Sequence, residues 1–192
     1  MKKLLLWVIT LFLMSCFFRL DAKKPFTMNL SPNLTLYEAQ KSVTAMRYGI
    51  DNEIPRKYMD NAKYLANEFF EPLREGLGGH PIYITSLYRS VRLNALIGGS
   101  PSSDHTRASA IDMDMDVNPY SPIDNNDIFH YVYNNMPYYK LIAEFPDDDG
   151  KISWVHVSFE RNKNNRRHTY IAVRNRNRTG YILYENSKHL IK

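Results

Sequence analysis

Apolar residues recur at helical spacing from Tyr58 through Ala62, Leu65 and Phe69 to Leu73. Pro55 suits the first turn of that helix, Gly76 to Gly79 end it, and Pro72 is tolerable near its end as a kink. Its aromatic stripe reads as a side facing a core. Upstream, Thr35-Leu36-Tyr37-Glu38 fits a capping box and starts a short helix. Asp51-Asn52 marks a turn. Downstream the pattern shortens to that of strands. Ile82 to Ser86 is rich in β-formers. Ser90 caps a short helix through Leu96, stopped by Gly98-Gly99. Ser109 to Asp116 alternates, which would put Asp112, Asp114 and Asp116 on one face of a strand. Ser121-Pro122 would open a helix reaching about Met136. Leu141 to Phe145 and Ile152 to Phe159 read as a hairpin around the turn Pro146 to Gly150. Thr169 to Arg174 and Tyr181 to Tyr184 read as a terminal hairpin. The predicted class is α+β, with N-terminal helices packed on a mainly antiparallel sheet.

The first residues have a different pattern. Lys2 and Lys3 precede an apolar run from Leu4 to Met14, which is too short to span a membrane as a helix and has the length of an export signal. It ends in Leu13-Met14-Ser15-Cys16, which resembles a bacterial lipobox with Cys16 as the lipidated residue, although Met14 is larger than the residue usual there. A secretion signal cleaved near Ala22 and an uncleaved anchor are the alternatives. Residues 1–22 are thus expected to be a signal and 23–30 a tether, followed by the main domain over 31–160 and a basic hairpin over 161–192 that extends it. Localisation is expected to be the cell envelope, either periplasmic or membrane-anchored through lipid. Cys16 is the sole cysteine, so the chain forms no internal disulfide.

The net charge of +5 is unevenly spread. From Glu160 onward there are nine Lys/Arg against two acids. Those bases alternate with strand formers, which reads as the solvated face of a hairpin. Attraction to an anionic wall polymer or membrane is the alternative. Nucleic acid is not an expected partner, because export conflicts with it, and a monomer is expected.

Candidate chemistry centres on Ser103-Asp104-His105-Thr106-Arg107-Ala108-Ser109-Ala110-Ile111-Asp112 and on His156 within Trp154 to Phe159. Two histidines and one carboxylate form a three-ligand zinc set that leaves a fourth position for water, as in hydrolases rather than structural sites. His80, His130, His168 and His189 lack such a frame and read as surface residues.

An ordered series of motifs extends the picture. It runs Ser42-Val43-Thr44-Ala45, Gly49-Ile50-Asp51-Asn52, Glu71-Pro72-Leu73-Arg74, Ile84-Thr85-Ser86-Leu87-Tyr88-Arg89-Ser90, Leu93-Asn94 and Gly98-Gly99. It closes with His105, Asp112 and Trp154-Val155-His156-Val157-Ser158. In these features the chain resembles the zinc D-alanyl-D-alanine carboxypeptidases, the peptidase branch of the Hedgehog/DD-peptidase superfamily. The resemblance implies that fold, one Zn²⁺ held by His105, Asp112 and His156, and hydrolysis of peptidoglycan stem peptides. The reaction would be that of a D-Ala-D-Ala carboxypeptidase or a related endopeptidase. It implies that Arg89 clamps a substrate carboxylate or polarises the scissile carbonyl. Ser103 and Trp154 would contact substrate, Asp104 would support the site, and Asp114 and Asp116 would orient a ligand histidine or cap the sheet face.

Two positions depart from the family. Leu87 and Ala108 stand where glycine is usual. Leu87 would crowd the approach to Arg89, and Ala108 would be strained if its φ were positive. Ser153 stands where some relatives carry the catalytic acid, three residues before the last histidine. Other relatives use an acid on the preceding strand, which here is Glu144, with Asp149 and Asp148 as the next candidates. A chain lacking a working base would be a non-catalytic, zinc-containing wall-binding module.

Overall fold

A computed structural model describes residues 28–159, 167–176 and 178–191. Cys16, the expected signal segment and most of the expected tether lie outside the described residues. Among the described residues, no helix is long and apolar enough to cross a membrane.

The chain opens with a small antiparallel pair, β1 (Asn29–Ser31) and β2 (Leu34–Thr35). Helix α1 (Leu36–Gln40) carries the expected capping box between Thr35 and Glu38, and Ser42 caps α2 (Val43–Arg47). The long apolar stripe forms one helical run built of α3 (Arg56–Leu65), a π segment (Ala66–Phe70) and α4 (Glu71–Gly76). Pro72 explains the π segment. It has no N–H to give the carbonyl four residues back, and its ring would press on that turn. The helix widens just before it, and the Glu71 N–H bonds the Ala66 carbonyl five residues back. Ala62, Leu65, Phe69, Phe70 and Leu73 of this run are buried in the main core.

The remaining elements build a six-stranded sheet. They are β3 (Ile84–Ser86), α5 (Val91–Leu96, capped by Ser90), β4 (Ala110–Met113), α6 (Asn125–Asn135), β5 (Lys140–Glu144), β6 (Trp154–Ser158), β7 (His168–Asn175) and β8 (Arg178–Leu183). The strand order is β3-β4-β6-β5-β7-β8, antiparallel except for the parallel pair β5–β7. Residues directly opposite one another share a sheet face. One face carries Ile111, Met113, Val155, Val157, Leu141, Ala143 and Ile171, all buried against the helices. The opposite face carries two rows of a different character. Ser86, Asp112, His156, Ile142 and Tyr170 form the first, and Trp154, Glu144, Ala172 and Tyr181 the second.

Two expectations are corrected. Asp112, Asp114 and Asp116 do not share a strand face, because β4 ends at Met113. The Asp114 side chain accepts from the Asp116 N–H and caps a 3₁₀ turn over Met115–Val117. The helix expected from Ser121 begins four residues later, where Asp124 and Asp127 form a reciprocal capping box that outcompetes the Ser-Pro signal.

Asn125, fully buried at the start of α6, ties these pieces together. Its Oδ1 accepts from the Met115 N–H at 2.8 Å, and its Nδ2 donates to the Ile152 and Ser153 carbonyls, each at 3.0 Å. It thereby fixes the exit of β4 against the entry of β6, the two strands that bear Asp112 and His156. Asn125→Ala strands three buried backbone groups and is expected to cost about 2–4 kcal/mol, read by urea denaturation. A loss below about 1 kcal/mol would show that these bonds do not hold the two strands together.

Candidate metal centre and groove

The site is the polar face of the sheet. Asp112 and His156 stand directly opposite each other on β4 and β6. His105 comes from a 3₁₀ turn over Asp104–Arg107, whose chain then re-enters the sheet through Ala108. The three side chains converge. His156 Nδ1 is 2.7 Å from Asp112 Oδ1, His105 Nε2 is 3.1 Å from the same oxygen, and the two ring nitrogens are 3.2 Å apart.

With both histidines in the neutral form that binds metal, hydrogen bonding alone does not satisfy this triangle. His105 Nδ1 lies 2.9 Å from the Leu87 carbonyl, an acceptor, so that nitrogen carries the proton and a neutral His105 presents a bare Nε2. One proton on His156 Nδ1 then serves both an imidazole lone pair and a carboxylate. Three electron-rich atoms facing one point are a cation site. Ligands about 2.0–2.1 Å from a tetrahedral zinc stand about 3.3 Å from one another, close to the observed spacings. Among the described residues, His105, Asp112 and His156 are the one His/Cys/Asp/Glu group that can hold a metal ion in this way.

Burial depresses the His156 pKa, although Asp112 opposes it, and so favours the neutral ligand form. Burial opposes charge on Asp112, but the charge that His105 and His156 carry when protonated, together with their hydrogen bonds, outweighs it and holds that carboxyl well below its ordinary range.

The surroundings of the triangle revise several sequence expectations. Leu87 does not crowd the site. Its side chain is fully buried in the core, and its carbonyl orients His105. Ala108 does sit in the left-handed region at φ 53°, ψ 39°, a conformation that costs a non-glycine residue about 1–2 kcal/mol. Arg89 hydrogen-bonds Asp112 Oδ2 through Nη2 and Ser86 Oγ through Nε at 2.8 Å, with its side chain one-fifth exposed at the groove wall. It thus holds the second oxygen of Asp112 while the first faces the histidines. Asp104 is buried and pairs with Arg107 and Lys140. Neither Asp114 nor Asp116 is bonded to a ligand histidine, since Asp116 pairs with Lys151 at 2.8 Å. Ser153 turns away, donating its hydroxyl to the Phe145 carbonyl at 2.9 Å. Asp148 and Asp149 occupy the exposed turn beyond β5 and do not line the groove.

Glu144 does line it, together with Ser103 and Trp154. It is directly opposite Trp154 and diagonal to His156 on the same face. Burial, reinforced by the Asp112 charge and only partly offset by Arg89, raises its pKa to about 8.

The groove has a volume of about 960 Å³ and runs from Leu93 and Ile97 on the α5 side, across the triangle, to Tyr170, Thr179 and Tyr181 on the terminal hairpin. Sequence reasoning missed that hairpin's contribution. Period-two alternation places Tyr170 on a chosen face only once its pairing with β5 is known. It also missed Asn52, read as a turn residue. Asn52 is buried, donates to the Gln40 and Tyr88 carbonyls and accepts from the Ser90 N–H, bracketing Arg89 on both sides.

The Glu144 shift has a consequence for stability. Between pH 4.5 and about 8 the folded, metal-free protein retains a proton that the unfolded chain has released. The unfolded state binds fewer protons there, so stability falls as pH rises through that window. Glu144→Gln cannot ionise and is expected to remove this fall. Denaturation of the metal-free wild type and variant at pH 5 and pH 8 tests it. Parallel pH dependence in the two would contradict the placement of Glu144.

No curated protein sequence is significantly similar to the chain. The family model described as Peptidase M15 matches residues 32–130, just over half of the chain. That span contains Arg89, His105 and Asp112, whereas Glu144 and His156 lie beyond it and join them through the sheet register. The chain belongs to the Peptidase M15 family of metallopeptidases.

Proposed function

We propose that this chain is an exported zinc peptidase that hydrolyses peptidoglycan stem peptides, with the Hedgehog/DD-peptidase fold and one zinc ion held by His105, Asp112 and His156. The observation that carries the reading is the convergence of His105 Nε2, Asp112 Oδ1 and His156 Nδ1 within 3.2 Å of one another, the spacing of ligands around one zinc ion. Zinc bound there supplies Lewis acidity, polarising a peptide carbonyl and acidifying water. A cation at this point also offsets the Asp112 charge that helps to keep Glu144 protonated, which favours an ionised Glu144 near neutral pH.

Glu144 is the proposed general base. Its carboxylate takes the proton of the attacking water and returns it to the leaving amine. Arg89 steadies Asp112 and presents its guanidinium to the substrate carbonyl or carboxylate. Ser103 and Trp154 are proposed to flank the peptide, consistent with their places on the groove. The apolar N-terminal run supports export to the envelope, where peptidoglycan lies, with a lipid on Cys16 as the proposed anchor. Within the family resemblance, the D-Ala-D-Ala bond is the first candidate and an internal stem-peptide bond the second.

The test is to incubate zinc-loaded protein with purified peptidoglycan and identify the products by mass spectrometry. Wild type is expected to release peptide fragments or free alanine. Glu144→Gln should slow release by about 100-fold or more, and His105→Ala should lose both zinc and activity. No product from the wild type would leave a wall-binding module in place of an enzyme.

A further inference from the structure

The hairpin β7–β8 lies beyond the span matched by the family model, yet it closes one end of the groove. Its register is specific. Glu144 on β5 is directly opposite Ala172 on β7, and Ala172 is directly opposite Tyr181 on β8. The three therefore share one row and one sheet face. Two strand spacings separate Glu144 from Tyr181, about 10 Å between backbones, a gap that a glutamate and a tyrosine side chain together can span. Ala172 between them is fully buried and offers only a methyl group at that position of the row.

Tyr181 is also oriented from the side. Its ring meets that of Tyr170 edge to face, with centroids 6.4 Å apart. The phenol feels both carboxylates of the site. Burial raises its pKa first, then the charges of Glu144 and Asp112, which keeps the hydroxyl protonated as a donor. The residue is 57% exposed and lines the groove.

We propose that Tyr181 is a residue of the active centre whose phenol O–H donates a hydrogen bond to the oxygen of the peptide carbonyl under attack. This rests on the zinc peptidase reading above. In that role Tyr181 approaches the reacting carbonyl from the hairpin side, while Arg89 lies on the β3 side of the metal ligands. A donor aimed at an oxygen where charge develops acts on the transition state more than on substrate binding.

The experiment measures initial rates of zinc-loaded wild type, Tyr181→Phe and Tyr181→Leu on soluble muropeptides prepared from purified peptidoglycan. Tyr120→Phe, at a 92% exposed tyrosine outside the groove, is the control. Melting temperature and bound zinc are recorded for each. Tyr181→Phe keeps the ring and loses only the hydroxyl. It is expected to lower kcat by about tenfold or more with KM little changed, and Tyr181→Leu should be at least as slow. Zinc content and melting temperature should match wild type. A Tyr181→Phe enzyme with wild-type kcat overturns the proposal, as does a change confined to KM. An inactive wild type would instead defeat the peptidase reading itself.

Discussion

Everything at this site depends on the cross-strand pair Asp112–His156. Antiparallel pairing of β4 with β6 sets a carboxylate and an imidazole side by side on one sheet face, and His105 completes the triangle from the turn that leads into β4. With those three atoms within about 3 Å of each other, their lone pairs form a site for a cation. The rest of the molecule holds that triangle in place. The Leu87 carbonyl fixes the proton on His105, Arg89 occupies the outer oxygen of Asp112, and Asn125 clamps the two strands at one end.

The same register extends the site well past its ligands. Because paired residues share a face, the row of Asp112 and His156 continues to Ile142 and Tyr170, and the next row brings Trp154, Glu144 and Tyr181 together. The base candidate and the hairpin tyrosine thus belong to one surface with the metal ligands. Backbone strain is found beside it as well. Ala108 and Phe145, which adjoin the 3₁₀ turn bearing His105 and the strand end bearing Glu144, both have positive φ. Such conformations persist where the surroundings over-determine them. For Phe145 those surroundings include the hydroxyl of Ser153, bonded to its carbonyl.

Much of this was legible in the sequence, for local reasons. Caps announce themselves through side chains within a few residues, so the Thr35 box and the Ser90 cap were readable. The β5–β6 hairpin was readable from its turn, and the ligand triad from residue types in a familiar order. What was not legible depends on partners distant in the chain. Leu87 looked like an obstruction because its side chain was assumed to face the site, whereas burial takes the side chain inward and leaves the carbonyl as the useful atom. Asn52 looked like a turn residue because its bonds reach Tyr88 and Ser90, nearly forty positions away. Tyr181 joins the site only through the parallel pairing of β7 with β5, which local sequence does not specify.

The most direct test of the account is zinc-edge anomalous diffraction from crystals of the zinc-loaded protein. One ion is expected, bonded to His105 Nε2, His156 Nδ1 and a carboxylate oxygen of Asp112. No ion at that point, or zinc bound elsewhere with the triangle intact, would contradict it.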